Sequence, residues 1–289
     1  MKTKNILSVT KPESPHMVGD GFRVFNLIPG DYSMKEMDPF IMLDYNSKYN
    51  FAPSLIPRGV GAHPHKGFET VTIAYKGRVE HHDSSGNGGV IAEGDVQWMS
   101  AASGILHKEF HEKEWSKKGG EFQMVQLWVN LPANDKKTAP KYQSLRHQDF
   151  FKVSLPNDAG VVEVIAGEFE GHKGIASTFT PIHLYNLKLK KGGKLALNFP
   201  SEYSTALLMI EGSAKINYDQ VVPEDNFVRF KKDGESVFVE ALSDALILVM
   251  SGKPIGEPIA SYGPFVMNTQ QEIREAIDDF NMGRFGYLE

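Results

Sequence analysis

The chain of 289 residues contains no cysteine. Disulfides, thiolate nucleophiles, cysteine-based zinc fingers and iron–sulfur clusters are therefore excluded together. Long apolar runs are also missing, since no segment approaches the about 18 residues that are needed to cross a bilayer. Any metal binding or acid–base chemistry must then come from His, Asp and Glu, and we expect no membrane span.

An excess of basic charge is missing as well. The formal net charge is −5, and the lysines and arginines form no long stripe. Nucleic-acid binding therefore has no electrostatic support in the sequence. The first residues, MKTKNILSVTKPESP, lack the apolar segment of a secretion signal, so a cytoplasmic location is expected.

No nucleotide-binding or serine-hydrolase motif occurs between the predicted strands and helices where it could function. The glycine-rich run SSGNGG at residues 84–89 lies between two strand-like segments and opens no helix. It is typical of a hairpin turn, not of a phosphate-binding loop.

Short segments of alternating apolar and polar residues run from about residue 20 to 250, separated by Gly, Pro, Asn and Asp. This pattern is typical of an all-β sandwich or barrel. The exception is TQQEIREAIDDFNMG, in which Thr269 and Glu272 have capping-box spacing and an apolar stripe follows. We predict a short amphipathic helix over 269–282, ended by Gly283.

A weak internal repeat organises the chain. Residues 198–216, NFPSEYSTALLMIEGSAKI, match residues 63–81, HPHKGFETVTIAYKGRVEH, in the order strand, glycine turn, strand. The repeat favours two similar β-barrels over one large sheet. A Pro/Asn/Asp-rich stretch lies between them, and we predict domains at 1–140 and 141–289, with the C-terminal helix in the second.

The first copy of the repeat carries histidines that the second copy lacks. His63 and His65 correspond to Asn198 and Pro200 in the second copy. Only the first barrel can therefore hold a site built on these histidines.

Histidines are clustered, because six of the ten fall within 49 residues. His63 and His65 lie two apart in a predicted strand, so both imidazoles point to one face. The segment GILHKEFHE repeats this spacing with His107 and Glu109. Together the two pairs offer three imidazoles and one carboxylate, a ligand set that suits a divalent transition metal.

Other residues compete for these roles. Glu69 follows His65 by four positions and is an alternative carboxylate ligand, and His111 is an alternative to Glu109. His81 and His82 point to opposite faces of their strand, so at most one of them can approach the barrel interior. We expect both at the surface or behind the ligands.

Three separated motifs resemble the pirin family of the cupin superfamily. They are HPHKGFETVTIAYKGRVEHHDSSGN, then GDVQWMSAASGILHKE, and YGPFVMNTQQEIREAIDDFNMGRFG at residues 262–286. The resemblance implies an all-β bicupin of two jelly-roll barrels, with the C-terminal segment bracing one of them. It also implies a metal in the N-terminal barrel alone.

The resemblance further implies the ligand set His63, His65, His107 and Glu109 for one divalent transition metal, with Fe(II) expected. In the wider cupin superfamily the carboxylate ligand usually comes from the position of Glu69. Because the segment before His107 follows the pirin version, we favour Glu109.

Members of the family resemble flavonol dioxygenases in fold and metal site, and some act on quercetin. The implied function is cleavage of quercetin or a related flavonol with dioxygen and release of carbon monoxide, with Glu109 as the catalytic base. Trp98, Met99 and Phe110 are candidates for an apolar wall around the substrate. A monomer is expected.

A different class of function is a non-catalytic, iron-dependent redox sensor that acts on a transcription factor or enzyme partner. Other pirins act in this way, although nothing in this sequence locates a partner surface. A zinc-dependent isomerase of the cupin type is a third hypothesis, and the C-terminal motif argues against it.

Overall fold

The structure, a computed structural model, describes residues 2–11 and 13–289. Its residues form two compact units. The first unit comprises 14–35, 39–147 and 255–289, and the second comprises 36–38, 148–254 and the described residues of 1–13.

Most of the chain forms β-strands. In chain order they are β1 (Ile6–Thr10), β2 (His16–Val18), β3 (Phe22–Ile28), β4 (Phe40–Phe51), β5 (Gly59–His65), β6 (Phe68–Lys76), β7 (Val79–Asp83), β8 (Gly88–Ile91), β9 (Val96–Ser100), β10 (Ile105–His111), β11 (Gly120–Asn130), β12 (Lys141–Leu145), β13 (Phe151–Ser154), β14 (Gly160–Ala166), β15 (Glu168–Phe169), β16 (His172–Lys173), β17 (Ile182–Leu189), β18 (Lys194–Asn198), β19 (Ser204–Glu211), β20 (Ala214–Ile216), β21 (Gln220–Val222), β22 (Phe227–Phe230), β23 (Ser236–Ala241), β24 (Ala245–Gly252), β25 (Ala260–Tyr262) and β26 (Phe265–Met267). The helices are α1 (Met34–Met37), α2 (Lys113–Lys118) and α3 (Gln270–Asn281), with 3-10 turns at His147–Asp149 and Pro156–Asp158.

The first unit is an antiparallel barrel made of two sheets. The larger sheet has the order β12-β9-β6-β11-β4-β3-β2, and the smaller has the order β5-β10-β7-β8. At one end of the interior an apolar core forms from Phe22, Val24, Phe51, Ala74, Val79, Ile91, Phe122 and Met124. His63, His65 and His107 do not belong to this core and lie on the strand pair β5 and β10 of the smaller sheet.

The second unit repeats this architecture. Its sheets have the orders β1-β22-β19-β24-β17-β14-β13 and β18-β23-β20-β21. Side chains such as Val164, Leu207, Met209, Val239 and Val249 fill the space between the sheets with apolar atoms.

The predicted repeat and the predicted bicupin fold are confirmed. The strand order β5-β10-β7-β8 corresponds to β18-β23-β20-β21, and β9-β6-β11-β4 corresponds to β22-β19-β24-β17. The turns that follow β6 and β19 contain Gly77 and Gly212 with φ of 81° and 75°. Both turns therefore use a left-handed backbone that glycine adopts at little cost.

The predicted C-terminal helix is present with its cap. The Thr269 hydroxyl accepts a hydrogen bond from the Glu272 amide at 3.2 Å, as expected for a capping box. Buried Ile273 and Ala276 pack with Phe265 and Phe285. These contacts group residues 255–289 with the first barrel, whereas the predicted boundary at residue 140 assigned them to the second domain.

None of the helices in residues 2–11 and 13–289 is long and apolar enough to cross a membrane.

The turn at Gly212 generates a stability prediction. A Cβ at this position would lie 2.1 Å from the Asp244 carbonyl oxygen, in addition to the left-handed φ of 75°. Gly192 has a similar φ of 79°, but a Cβ there would meet no heavy atom within 4 Å, so it is a matched control. We expect Gly192→Ala to cost about 1–2 kcal/mol from backbone strain, and Gly212→Ala to cost clearly more. Urea unfolding midpoints measure the difference, and equal losses would contradict the steric account.

Candidate metal centre

Pairing of β5 with β10 brings the two predicted ligand pairs together. The strands are antiparallel, with His107 opposite His63 and Ile105 opposite His65. One potential ligand atom from each of His63, His65 and His107 lies within 4.8 Å of the other two. The clustering that the spacing predicts is therefore observed for these three imidazoles, while their role as metal ligands stays a prediction.

Ring nitrogens in this cluster are available for a cation. His65 Nδ1 and His107 Nε2 are buried and have no hydrogen-bond partner in the part of the chain that the structure describes. Burial, reinforced by the neighbouring imidazoles, holds the pKa of both His65 and His107 well below the usual range. Both rings are therefore neutral, and a neutral imidazole offers one nitrogen lone pair to a metal. The donor set fits a divalent transition metal.

Glu109 lies beside the cluster on β10. Its carboxylate forms a second group with His81 and His107, again within 4.8 Å, so His107 belongs to both groups. Thr72 Oγ1 donates to Oε1 at 3.2 Å, and Gln126 Nε2 donates to Oε2 at 2.8 Å. Two neutral donors thus fix the orientation of the carboxylate.

A row of polar side chains crosses the inner face of the larger sheet at this level. Cross-strand register places its members side by side: Gln97, Thr72, Gln126, Asp44 and Asn26. Asn26 Nδ2 donates to Asp44 Oδ1 at 2.8 Å, and burial raises the pKa of Asp44. Gln97 is 1% exposed, and neither atom of its amide has a partner. The inner wall therefore contains donors and acceptors that are suited to a polar ligand or water.

Aromatic side chains line the cluster beside this row. The ring of His65 lies 5.1 Å from Phe68 and 5.2 Å from Trp128, measured between centroids, and these two rings stack on each other at 4.1 Å. Gln126 and Trp128 were not among the predicted site residues. The alternation in MVQLWVNLP does place both opposite the apolar face of Val125, Leu127 and Val129, which is the signal that could have found them.

The candidate apolar wall is only partly in place. Met99 is fully buried and packs with Ala101 and Ile105. Trp98 is also fully buried, but it pairs with Val71 on the opposite face of the sheet from Thr72 and Gln97. Phe110 is half-buried.

Glu69 does not face the cluster. It lies three residues before Thr72 in β6, and side chains of a strand alternate between faces, so the two point to opposite sides. Its carboxylate accepts a hydrogen bond from Ser100 Oγ at 2.6 Å. Burial raises the pKa of Glu69 to about 7.

His111 lies in an aromatic cage at the far end of β10. Its ring contacts Phe22, Phe51, Trp115 and Phe122 at centroid distances of 4.7–5.8 Å. Its Nε2 lies 2.8 Å from the Gly21 carbonyl oxygen, and burial lowers the pKa of His111 to about 4. The residue is a neutral part of the core, so the alternative that it replaces Glu109 gains no support.

His81 and His82 point to opposite faces, as the alternation predicts. His82 is exposed and lies 3.0 Å from the Glu80 carboxylate. His81 is fully buried, with its Nδ1 3.3 Å from the Nδ1 of His107. The ring of His81 is therefore in direct contact with the ring of His107.

Comparisons with known proteins agree with this fold. The Pirin family model matches residues 21–129, and the Pirin C-terminal cupin domain model matches residues 184–286. A Pseudomonas aeruginosa protein named "putative quercetin 2,3-dioxygenase" is 46% identical over 282 residues, covering 98% of each chain. Pirin-like protein 2 of Arabidopsis thaliana is 38% identical and covers 88% of this chain and 77% of its own.

A solved structure is similar throughout. The crystal structure of a quercetin 2,3-dioxygenase from Acinetobacter baumannii superposes with a TM-score of 0.94 at 45% identity, covering 100% of both chains. The motifs, both barrels and these relatives lead to one conclusion: the chain belongs to the pirin family.

Proposed function

We propose that this protein is a metal-dependent dioxygenase that cleaves quercetin or a related flavonol with dioxygen and releases carbon monoxide. The observation that carries the proposal is the group of three clustered imidazoles, two of which have buried nitrogens without partners. The names of the relatives at 45–46% identity support the choice of reaction.

In this proposal His63, His65, His107 and Glu109 hold one divalent ion, with Fe(II) as the expected metal. Three imidazoles and one carboxylate suit such an ion, and the single carboxylate neutralises only part of its charge. When bound, the ion would act as a Lewis acid toward the 3-hydroxyl of the flavonol and as a path for electrons to dioxygen.

Glu109 is the proposed catalytic base, which takes the proton of the 3-hydroxyl. Thr72 and Gln126 each donate to one of its oxygens, so the carboxylate is held in one orientation, within 4.8 Å of a ring nitrogen of His107. A carboxylate oxygen can accept two hydrogen bonds, so one oxygen can hold the ion beside its hydrogen bond while the other keeps a lone pair for the proton. The proton can therefore move to Glu109 without breaking either contact.

The surroundings of the cluster suit a planar, polyhydroxylated aromatic molecule. The stacked rings of Phe68 and Trp128 provide an apolar surface beside His65. The unpartnered amide of Gln97 and the carboxyl of Asp44 provide hydrogen-bonding groups for phenolic hydroxyls. In the proposed reaction both atoms of dioxygen enter the ring-opened ester, and the carbon that carried the 3-hydroxyl leaves as carbon monoxide.

Metal retention tests the ligand set. His63 is only half-buried, so its replacement by Ala should leave the barrel folded while removing one imidazole from the cluster. We expect His63→Ala to lose most of the roughly one ion per chain that the wild type retains after Fe(II) loading and gel filtration, as measured by elemental analysis. The control is His82→Ala, whose exposed side chain faces away from the cluster. An unchanged metal content in His63→Ala would remove His63 from the ligands.

Turnover tests the reaction. Wild-type protein loaded anaerobically with Fe(II) and then exposed to air should bleach the visible absorbance of quercetin and release carbon monoxide into the headspace. His63→Ala should do neither, and Glu109→Gln, which keeps the shape of the side chain but not its charge, should lose at least about tenfold in rate. A fully loaded wild-type protein without turnover would argue against the enzyme and in favour of the redox-sensor hypothesis.

A further inference from the structure

Each histidine of the cluster has one ring nitrogen on a protein partner. His63 Nδ1 lies 2.8 Å from the Gly61 carbonyl oxygen, and the ring of His65 is hydrogen-bonded to the Pro264 carbonyl. A carbonyl oxygen only accepts, so both rings must donate there and offer the other nitrogen as a lone pair. The partner of His107 is different, because its Nδ1 lies 3.3 Å from the Nδ1 of His81.

An imidazole partner leaves the direction of the hydrogen bond open. If His107 donates from Nδ1, its buried and unpartnered Nε2 carries the lone pair that a cation needs. If His81 donates instead, Nε2 of His107 carries a proton and cannot bind a cation. The tautomer of His81 therefore decides whether His107 can be a ligand.

Asp83 lies where it can set that tautomer. Its Oδ2 is 3.9 Å from Nε2 of His81, and both groups are fully buried. Its Oδ1 accepts hydrogen bonds from the backbone amides of Ser85 at 2.9 Å and Asn87 at 3.0 Å, so the turn fixes the carboxylate. A carboxylate attracts a proton on the nearer nitrogen of His81, which leaves Nδ1 of His81 as the acceptor.

The ring plane of His81 is also held in place. Tyr142 stacks on it with a centroid distance of 5.4 Å and an interplanar angle of 24°. Strand register places Asp83 opposite His107 and His81 opposite Glu109. Asp83, His81 and His107 therefore occupy neighbouring positions of β7 and β10. Ring stacking and strand pairing thus fix the relative positions of the Asp83 carboxylate and the imidazoles of His81 and His107.

We propose that Asp83 and His81 are positioning residues, which form a carboxylate–imidazole chain that holds His107 in the tautomer with its Nε2 lone pair free for the metal. The inference rests on the proposed metal centre and deepens it. Partners of this kind, behind a ligating histidine, change metal affinity by about 10–100-fold when they are removed.

His81 could instead be a ligand itself, because it also groups with His107 and Glu109. If both rings turned their Nδ1 atoms, which lie 3.3 Å apart, to such an ion, the buried Nε2 of His107 would have no partner among the described residues. Such an orphaned buried nitrogen is costly, which favours the positioning role.

Cobalt(II) binding tests the inference on the full chain after metal removal by a chelator. His81→Leu removes the acceptor at similar volume, whereas His81→Asn keeps an oxygen close to the position of Nδ1. We expect His81→Leu to bind one Co(II) per chain about 10–100-fold more weakly, with a shifted visible absorption band, and His81→Asn to stay within a few fold of the wild type. His82→Leu and His82→Asn are the matched controls on the exposed face, and neither should change affinity or spectrum.

Two results would overturn the inference. His81→Leu with unchanged affinity and spectrum would show that the chain does not act on His107. Loss of binding as complete as in His63→Ala, in a variant that unfolds at the wild-type temperature without metal, would make His81 a ligand.

Asp83→Asn covers the case in which His81→Leu does not fold. Its Oδ1 still accepts from the turn amides, but its new N–H groups face Nε2 of His81 and favour the opposite tautomer. Weaker Co(II) binding is expected, and unchanged binding would again overturn the inference. The proposed reaction is tested separately. If the protein binds Co(II) as described here but does not turn over quercetin with Fe(II), the proposed function is wrong and the positioning role of Asp83 and His81 still stands.

Discussion

The antiparallel register of β5 against β10 is the constraint on which the candidate metal centre depends. It places His107 opposite His63 and leaves His65 on the same face two residues away. Because successive side chains of a strand point to opposite faces, a slip by one residue would turn one pair of ligands out of the barrel. The register of β10 against β5 shifts between His107 and Glu109. The Glu109 carboxylate therefore does not continue the strand pairing that positions His107. Hydrogen bonds from Thr72 and Gln126 then fix its orientation.

The two barrels use the same strand order for different interiors. In the second unit, Leu207, Val239 and Val249 belong to an apolar core that fills the space between the sheets. In the first unit the corresponding space contains imidazoles and a row of polar side chains, of which the Gln97 amide and one ring nitrogen each of His65 and His107 are buried without partners among the described residues. A buried polar group without a partner costs roughly 1–3 kcal/mol of stability unless water or a ligand satisfies it. A polar interior of this kind is what the proposed metal centre requires, whereas the second barrel, which lacks these histidines, has an apolar interior.

Local patterns in the sequence were enough to predict the fold class, the repeat, the capped helix and the clustering of His63, His65 and His107. Each of these depends on spacing along one strand or one turn. The environment of Glu69, His81 and His111 was not predictable in the same way, because it depends on which strand lies opposite. Alternation gives the face of a side chain, but depth and neighbours come from long-range pairing. The grouping of residues 255–289 with the first barrel is likewise a tertiary property that no local composition change marks.

The C-terminal segment explains why motifs separated by about 200 residues in the sequence meet at one site. The Lys66 amide donates to the Pro264 carbonyl at 3.2 Å, and the Val266 amide donates to the Lys66 carbonyl at 3.0 Å, directly after His65. The Lys66 ammonium is paired with Asp279 of α3 at 2.6 Å. Buried Lys136 donates to the carbonyls of Gly67 and Val266 at 2.7 and 3.0 Å, which ties the same two segments together. The helix is therefore part of the support of a candidate ligand, because the β25–β26 hairpin, whose side chains pack against it, supplies the Pro264 carbonyl beside His65 and holds the turn that follows this histidine.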